Sequence, residues 1–203
     1  MVVNLSIGVL GIQGAISEHV LMMKQVLNQY EHSSTVSIIR NKRELEKTNG
    51  LIIPGGESTT ISRFLLRNDL YDTIKMRAEE KSLAVMGTCA GCVLVSSKIV
   101  EESKDITLLS LMDMKVKRNA FGRQRESFEQ MIPIKGFSED FPAVFIRAPL
   151  IQNIWGNCQA LSSFDEKIVM AEEDNILALS FHPELTSDSR IHEYFYKMVC
   201  NCK

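Results

Sequence analysis

Short apolar runs of strand length alternate with stretches of helical period along most of the chain, and this alternation constrains the fold more than any other feature. Residues 6–12 (SIGVLGI), 50–53 (GLII), 82–86 (SLAVM) and 176–181 (ILALSF) are almost wholly apolar. A strand without a polar face must be covered on both sides, as in a parallel sheet between helices. After Gly14, the residues Ile16, Val20, Met23, Val26, Leu27 and Tyr30 recur at helical spacing, and residues 59–80 and 187–200 follow the same period. Ser187 or Asp188 is the expected cap of the last helix. Residues 36–39, 143–146 and 167–171 are further strand candidates. Between about 107 and 145, segments separated by Gly122, Gly136 and Pro142 suggest antiparallel strands or hairpins added to the sheet. The expected class is α/β, a three-layer sandwich with a largely parallel central sheet, in a single domain spanning residues 1–203.

Charge and cysteine usage narrow the function. A net charge of -2 with no basic stripe gives no reason to expect nucleic acid or a membrane surface. The apolar N-terminus lacks a basic flank, is broken by Asn4, Gly8, Gly11, Gln13 and Gly14, and reads as a core strand. Five irregularly spaced cysteines argue against a disulfide framework and for a reducing, cytoplasmic setting.

The chemistry centres on "GTCAGC", residues 87–92. Gly87-Thr88-Cys89-Ala90-Gly91 has the form Gly-x-nucleophile-x-Gly, by which a strand turns sharply into a helix and lifts a side chain to the carboxyl edge of a sheet. The start of a helix favours the thiolate, and the next backbone N–H can face an oxyanion. By itself the stretch leaves a nucleophile and a buried, inert thiol both open. Cys89-x-x-Cys92 also permits a dithiol redox motif, although a thioredoxin-like fold is about half this length. Cys200-x-Cys202 lacks the usual spacing of a zinc knuckle. An acyl-transfer nucleophile needs a base. His19, His32 and His192 read as surface or satisfied helix residues, whereas His182 follows an apolar strand directly and so emerges at the same sheet edge as Cys89. Glu184, two residues on, can fix the imidazole tautomer, which completes a Cys-His-Glu triad.

These two motifs resemble those of the class I glutamine amidotransferases, a flavodoxin-like fold. The segments "GVLGIQGAISEH" (8–19), "LIIPGGESTT" (51–60), "RNAFGRQRESFE" (118–129), "FIRAP" (145–149) and "SFHPELTSD" (180–188) narrow the likeness to the glutaminase subunits of two-component pyridoxal 5'-phosphate synthases. The resemblance implies hydrolysis of L-glutamine to glutamate and ammonia, with Cys89 as nucleophile, His182 as base and acid, and Glu184 as its partner. It implies oxyanion donors at the backbone of Gly56 and Ala90, and glutamine contacts at Gly56, Glu57, Ser58, Arg118, Ile146 and Arg147. Glu57 suits an ammonium, and either arginine suits a carboxylate. The resemblance also implies a (β/α)8-barrel synthase partner in a large hetero-oligomer that docks near Gln13-Gly14-Ala15, with no metal or cofactor. An amidotransferase of another pathway and a CxxC redox protein are the alternatives. The chain departs from the family at Cys92 and at Glu80-Lys81-Ser82, and residues 150–166 match no pattern.

Overall fold

The computed structural model describes residues 4–30, 34–101, 104–118, 120 and 127–202. His32, Gly122 and much of the stretch 118–129 lie outside the described residues. Strand β1 (Ser6–Leu10) leads through helix α1 (Ile16–Leu27) to β2 (Thr35–Ile39), and a short α2 (Lys42–Leu45) precedes β3 (Gly50–Ile53). Helices α3 (Ser58–Arg67) and α4 (Tyr71–Glu79) return the chain to β4 (Ala84–Thr88), which passes into α5 (Ala90–Val95). Then follow β5 (Ser96–Ile99), β6 (Met112–Lys117), β7 (Ser127–Ile132), β8 (Phe141–Ile146), β9 (Leu150–Ile154), β10 (Gln159–Phe164), β11 (Lys167–Glu173) and β12 (Ile176–Leu179). A 3-10 turn, Pro183–Leu185, leads to α6 (Arg190–Asn201).

The main sheet runs β2-β1-β3-β4-β12-β11-β9-β6-β5, with β10 also paired to β11. From β2 to β12 every pairing is parallel; beyond β12 the pairings turn antiparallel, apart from β5 with β6. The parallel half has the flavodoxin-type order, in which ligands bind beyond the carboxyl ends of the strands. Side-chain alternation explains why its strands are apolar throughout. On β3, Leu51 and Ile53 join the cluster formed with Ile61, Leu65 and Ile74 of α3 and α4, while Ile52 joins Met23 and Val26 of α1 and Phe195 and Val199 of α6. Both faces of the strand are therefore dry.

Three expectations need correction. The helical run 59–80 is two helices, because Asp69 adopts φ 55° and the Leu70 N–H donates to the Leu65 carbonyl at 3.0 Å, closing α3 with a left-handed cap. The hairpin β7–β8 is not added to the main sheet; it forms its own ribbon, joined to the site because the His182 N–H donates to the Val144 carbonyl at 2.8 Å. The last helix begins at Arg190 rather than at 187, with Ser189 making no side-chain cap; of the two expected caps, Asp188 accepts from the Arg190 N–H at 3.0 Å. The unmatched stretch 150–166 supplies β9 and β10. Around Glu80-Lys81-Ser82, Lys81 takes φ 56° and Arg77 donates to the Ser82 carbonyl at 2.9 Å.

Candidate active site

Register brings the functional loops together. Ile53 pairs with Gly87, and Thr88 with Leu179, so β3, β4 and β12 end level with one another. The loops that follow them, with the loop after β1, enclose a cleft of about 400 Å³. Cys89, His182, Gly56, Glu57, Ser58, Ala90, Arg118, Ile146 and Arg147 all line it. Glu184 stands behind His182, 4 % exposed. Gln13, Gly14, Val93 and Pro149 also contribute to the wall.

Cys89 sits on the turn between β4 and α5 with φ 50° and ψ -103°, a conformation that costs a residue bearing a Cβ about 1–3 kcal/mol. Its N–H donates to the Leu179 carbonyl at 2.8 Å, which ties the strained residue to the neighbouring strand. The flanking glycines make the turn possible. A Cβ at Gly87 would lie 2.5 Å from the Gly91 carbonyl oxygen, and one at Gly91 would overlap the Ile53 carbonyl. Both glycines let α5 begin directly against the sheet, and the N–H of its first residue, Ala90, faces the start of the helix without an intrahelical partner. Gly55 crowds the same point, since a Cβ there would lie 2.5 Å from His182 Cε1 and 3.3 Å from Cys89 Cβ.

The His182 ring and the Cys89 side chain converge beside the Gly55 backbone, and on its other side the His182 Nδ1 lies 2.8 Å from Glu184 Oε1. The Pro183–Leu185 turn makes this spacing possible, because Pro183 fixes φ at its start and the Leu185 N–H closes onto the His182 carbonyl at 3.3 Å. Burial alone disfavours the imidazolium. The bonds to Cys89 and Glu184 and the charge of both outweigh that penalty and raise the His182 pKa. The arrangement therefore favours the imidazolium form of His182. Cys89 Sγ also lies 3.9 Å from the Ile146 carbonyl oxygen.

At the mouth of the cleft, Glu57 caps α3, accepting from the Thr60 N–H at 2.9 Å and from the Thr59 hydroxyl. Burial acts to raise its pKa, but these donors prevail and lower it. Its other oxygen, Oε1, is 3.6 Å from an Arg118 Nη2. A carboxylate and a guanidinium thus face each other at the mouth of the cleft. Arg147, at φ 42°, follows β8 on the same rim. The Gln13 side chain accepts from the Glu57 N–H at 3.1 Å, which joins the loop after β1 to the Gly55-Gly56 turn.

Two histidines read in sequence as surface or satisfied helix residues, His19 and His192, are of the second kind, fully buried on α1 and α6 behind the site. His19 Nε2 lies 3.3 Å from Glu184 Oε2 and 3.4 Å from the Thr88 hydroxyl, and His19 Nδ1 is 2.9 Å from His192 Nε2. Burial, followed by the charges of His192 and His182, pushes the His19 pKa well down, and burial pushes His192 down to about 3. Helical spacing carried no sign of this, because a histidine on an amphipathic helix fits either face. Cys92 faces the core with no exposure, and burial pushes its thiol far up, as a small apolar residue on the inner face of α5 requires.

The family model described as the SNO glutamine amidotransferase family matches residues 9–201. A relative from Fervidobacterium nodosum, named pyridoxal 5'-phosphate synthase subunit PdxT, is 46 % identical over 95 % of this chain and 96 % of its own. One of the same name from Halalkalibacterium halodurans is 45 % identical over 97 % of this chain and 96 % of its own. A crystal structure titled as a glutamine amidotransferase superposes with a TM-score of 0.87 at 38 % identity, covering 96 % of this chain and 98 % of that one.

Proposed function

The chain belongs to the SNO glutamine amidotransferase family, and from that premise we propose that it is the glutaminase of a two-component pyridoxal 5'-phosphate synthase. It hydrolyses L-glutamine to glutamate and passes the ammonia to a synthase subunit. The observation that carries this reading is the convergence of Cys89, held at a positive φ, and His182 on one amino-acid-sized cleft beside Gly55.

The side-chain amide carbon of glutamine is attacked by the Cys89 thiolate, and the tetrahedral oxyanion receives hydrogen bonds from the backbone N–H groups of Gly56 and Ala90. Loss of one such donor costs about 2.7–4 kcal/mol of transition-state stabilisation. His182, holding the thiol's proton, delivers it to the departing ammonia; a water then gives its proton to the same imidazole and hydrolyses the thioester. Glu184 keeps the imidazole oriented and balances its charge. Glu57 receives the α-ammonium, and Arg118 or Arg147 receives the α-carboxylate, while Ser58 and Ile146 complete the pocket. This chemistry calls on no metal or organic cofactor.

The remaining features are parts of the same proposal. Apolar clusters on both faces of the sheet support a three-layer sandwich in one domain over residues 1–203. The partner is a (β/α)8-barrel synthase, joined in a large hetero-oligomer, and five free cysteines fit a cytoplasmic setting. Among the described residues no helix is long and apolar enough to cross a membrane. The test is glutamate release from glutamine with and without a cognate synthase subunit. Stimulation by the synthase, abolished in Cys89→Ala, is the expected result; an equal rate in that variant would overturn the assignment.

A further inference from the structure

We infer that His19 is a positioning residue for the glutaminase reaction, acting through the second oxygen of Glu184 and held in one tautomer by His192. The inference rests on the Cys89–His182–Glu184 reading above.

Glu184 is buried, and its carboxylate has two oxygens to account for. Oε1 accepts from His182 Nδ1 at 2.8 Å, whereas Oε2, with no aligned hydrogen bond among the described residues, has His19 Nε2 at 3.3 Å. A carboxylate held at one oxygen can rotate about its terminal torsion; the His19 ring, 3.3 Å from the other oxygen, restricts that rotation. The proton directions follow from the contacts. An ionised Glu184 only accepts, so both His182 Nδ1 and His19 Nε2 carry hydrogen. Neutral His19 then presents a lone pair at Nδ1, and His192 Nε2 donates to it at 2.9 Å. That leaves His192 Nδ1 as a bare lone pair, which matches its lack of any partner among the described residues. A protonated His19 would reverse the last bond and leave a buried N–H unpaired at His192, a costlier arrangement.

Packing alone does not account for this chain of groups. His19, His192 and Glu184 come from α1, α6 and the turn after β12, and each could be replaced by an apolar side chain at lower desolvation cost if filling space were the only role. Thr88, immediately before Cys89, lies 3.4 Å from the same His19 Nε2, so the network touches both ends of the catalytic pairing.

The test compares His19→Gln with His19→Asn and His19→Leu, assayed for glutamate release with the synthase subunit present. A Gln amide nitrogen reaches the position of Nε2, whereas that of Asn reaches only the position of Nδ1. The expected result is a kcat lowered about tenfold to a hundredfold in Asn and Leu, with KM for glutamine within about threefold, and near wild-type kcat in Gln. Equal losses in Gln and Asn, or wild-type kcat in Asn, would overturn the proposal; should the Leu variant not fold, the Gln and Asn pair decides. Cys89→Ala in the same assay separates the two readings. If it stays active, the site assignment has failed; if it is dead while the His19 variants are unaffected, only the role of His19 has.

Discussion

At position 55 the His182 ring leaves room for a hydrogen atom and nothing larger. Gly55 does not use a positive φ, so alanine suits its backbone, and the cost of Gly55→Ala falls on the ring 2.5 Å away rather than on the fold. A displaced imidazole no longer meets Cys89 and Glu184 together. We expect kcat for glutamine hydrolysis to fall about a hundredfold in Gly55→Ala, while the urea unfolding midpoint stays close to wild type. An unchanged kcat would mean that the ring has another place to sit. Arg118 offers the converse case. Its ion pair with Glu57 is partly exposed on both sides and contributes little to stability. Arg118→Ala should therefore raise KM for glutamine by about tenfold without lowering the unfolding midpoint, and a KM within twofold would assign the carboxylate to Arg147 instead.

At the scale of elements, the closeness of α5 to β3 sets the position of the nucleophile. A methyl group at Gly91 would run into the Ile53 backbone carbonyl, which cannot move without breaking its place in the sheet. Gly91→Ala is expected to destabilise by about 3 kcal/mol, read from urea unfolding, and a loss below about 0.5 kcal/mol would show that the helix can slide. Elements of this kind were readable in the sequence where burial is two-sided: β3, β4 and β12 are largely apolar runs, and each ends just before a residue that lines the cleft, Gly55, Cys89 or His182. The elbow was readable from Gly87 and Gly91, and the pairing of His182 with Glu184 from their spacing. Other elements left weaker marks. β9 and β10 are half-exposed and carry Gln152, Asn153, Ser162 and Ser163, so no apolar run marks them. The break between α3 and α4 rests on the conformation of Asp69, which the helical period of its neighbours overrides. His19 and His192 escaped because their partners are remote in sequence, and one-dimensional spacing carries no record of such a pairing.

For the whole molecule, folding carries two imidazoles out of water, and stability must depend on pH accordingly. His192 has an ordinary value of 6.5 and a folded value of about 3, and His19 is lowered in the same direction. Below pH 6.5 the unfolded chain protonates these two rings while the folded one keeps them neutral, so their contribution to stability falls as pH falls from 6.5 toward 3. His192 should remove about 1.4 kcal/mol between pH 7.5 and 5.5, opposed over the same interval by His182, whose raised pKa adds stability as pH falls, and His192→Gln should lessen the loss on acidification in urea unfolding; an unchanged pH slope in the variant would contradict the burial account. The central claim concerns the cleft, where one thiol among five is poised for an amide carbonyl. It is tested most directly by treating the protein, with its synthase subunit, with an electrophilic glutamine analogue and locating the adduct by peptide mass spectrometry. The account predicts one adduct, on Cys89, prevented by excess L-glutamine; an adduct on another cysteine in its place, or one that glutamine does not prevent, would contradict it.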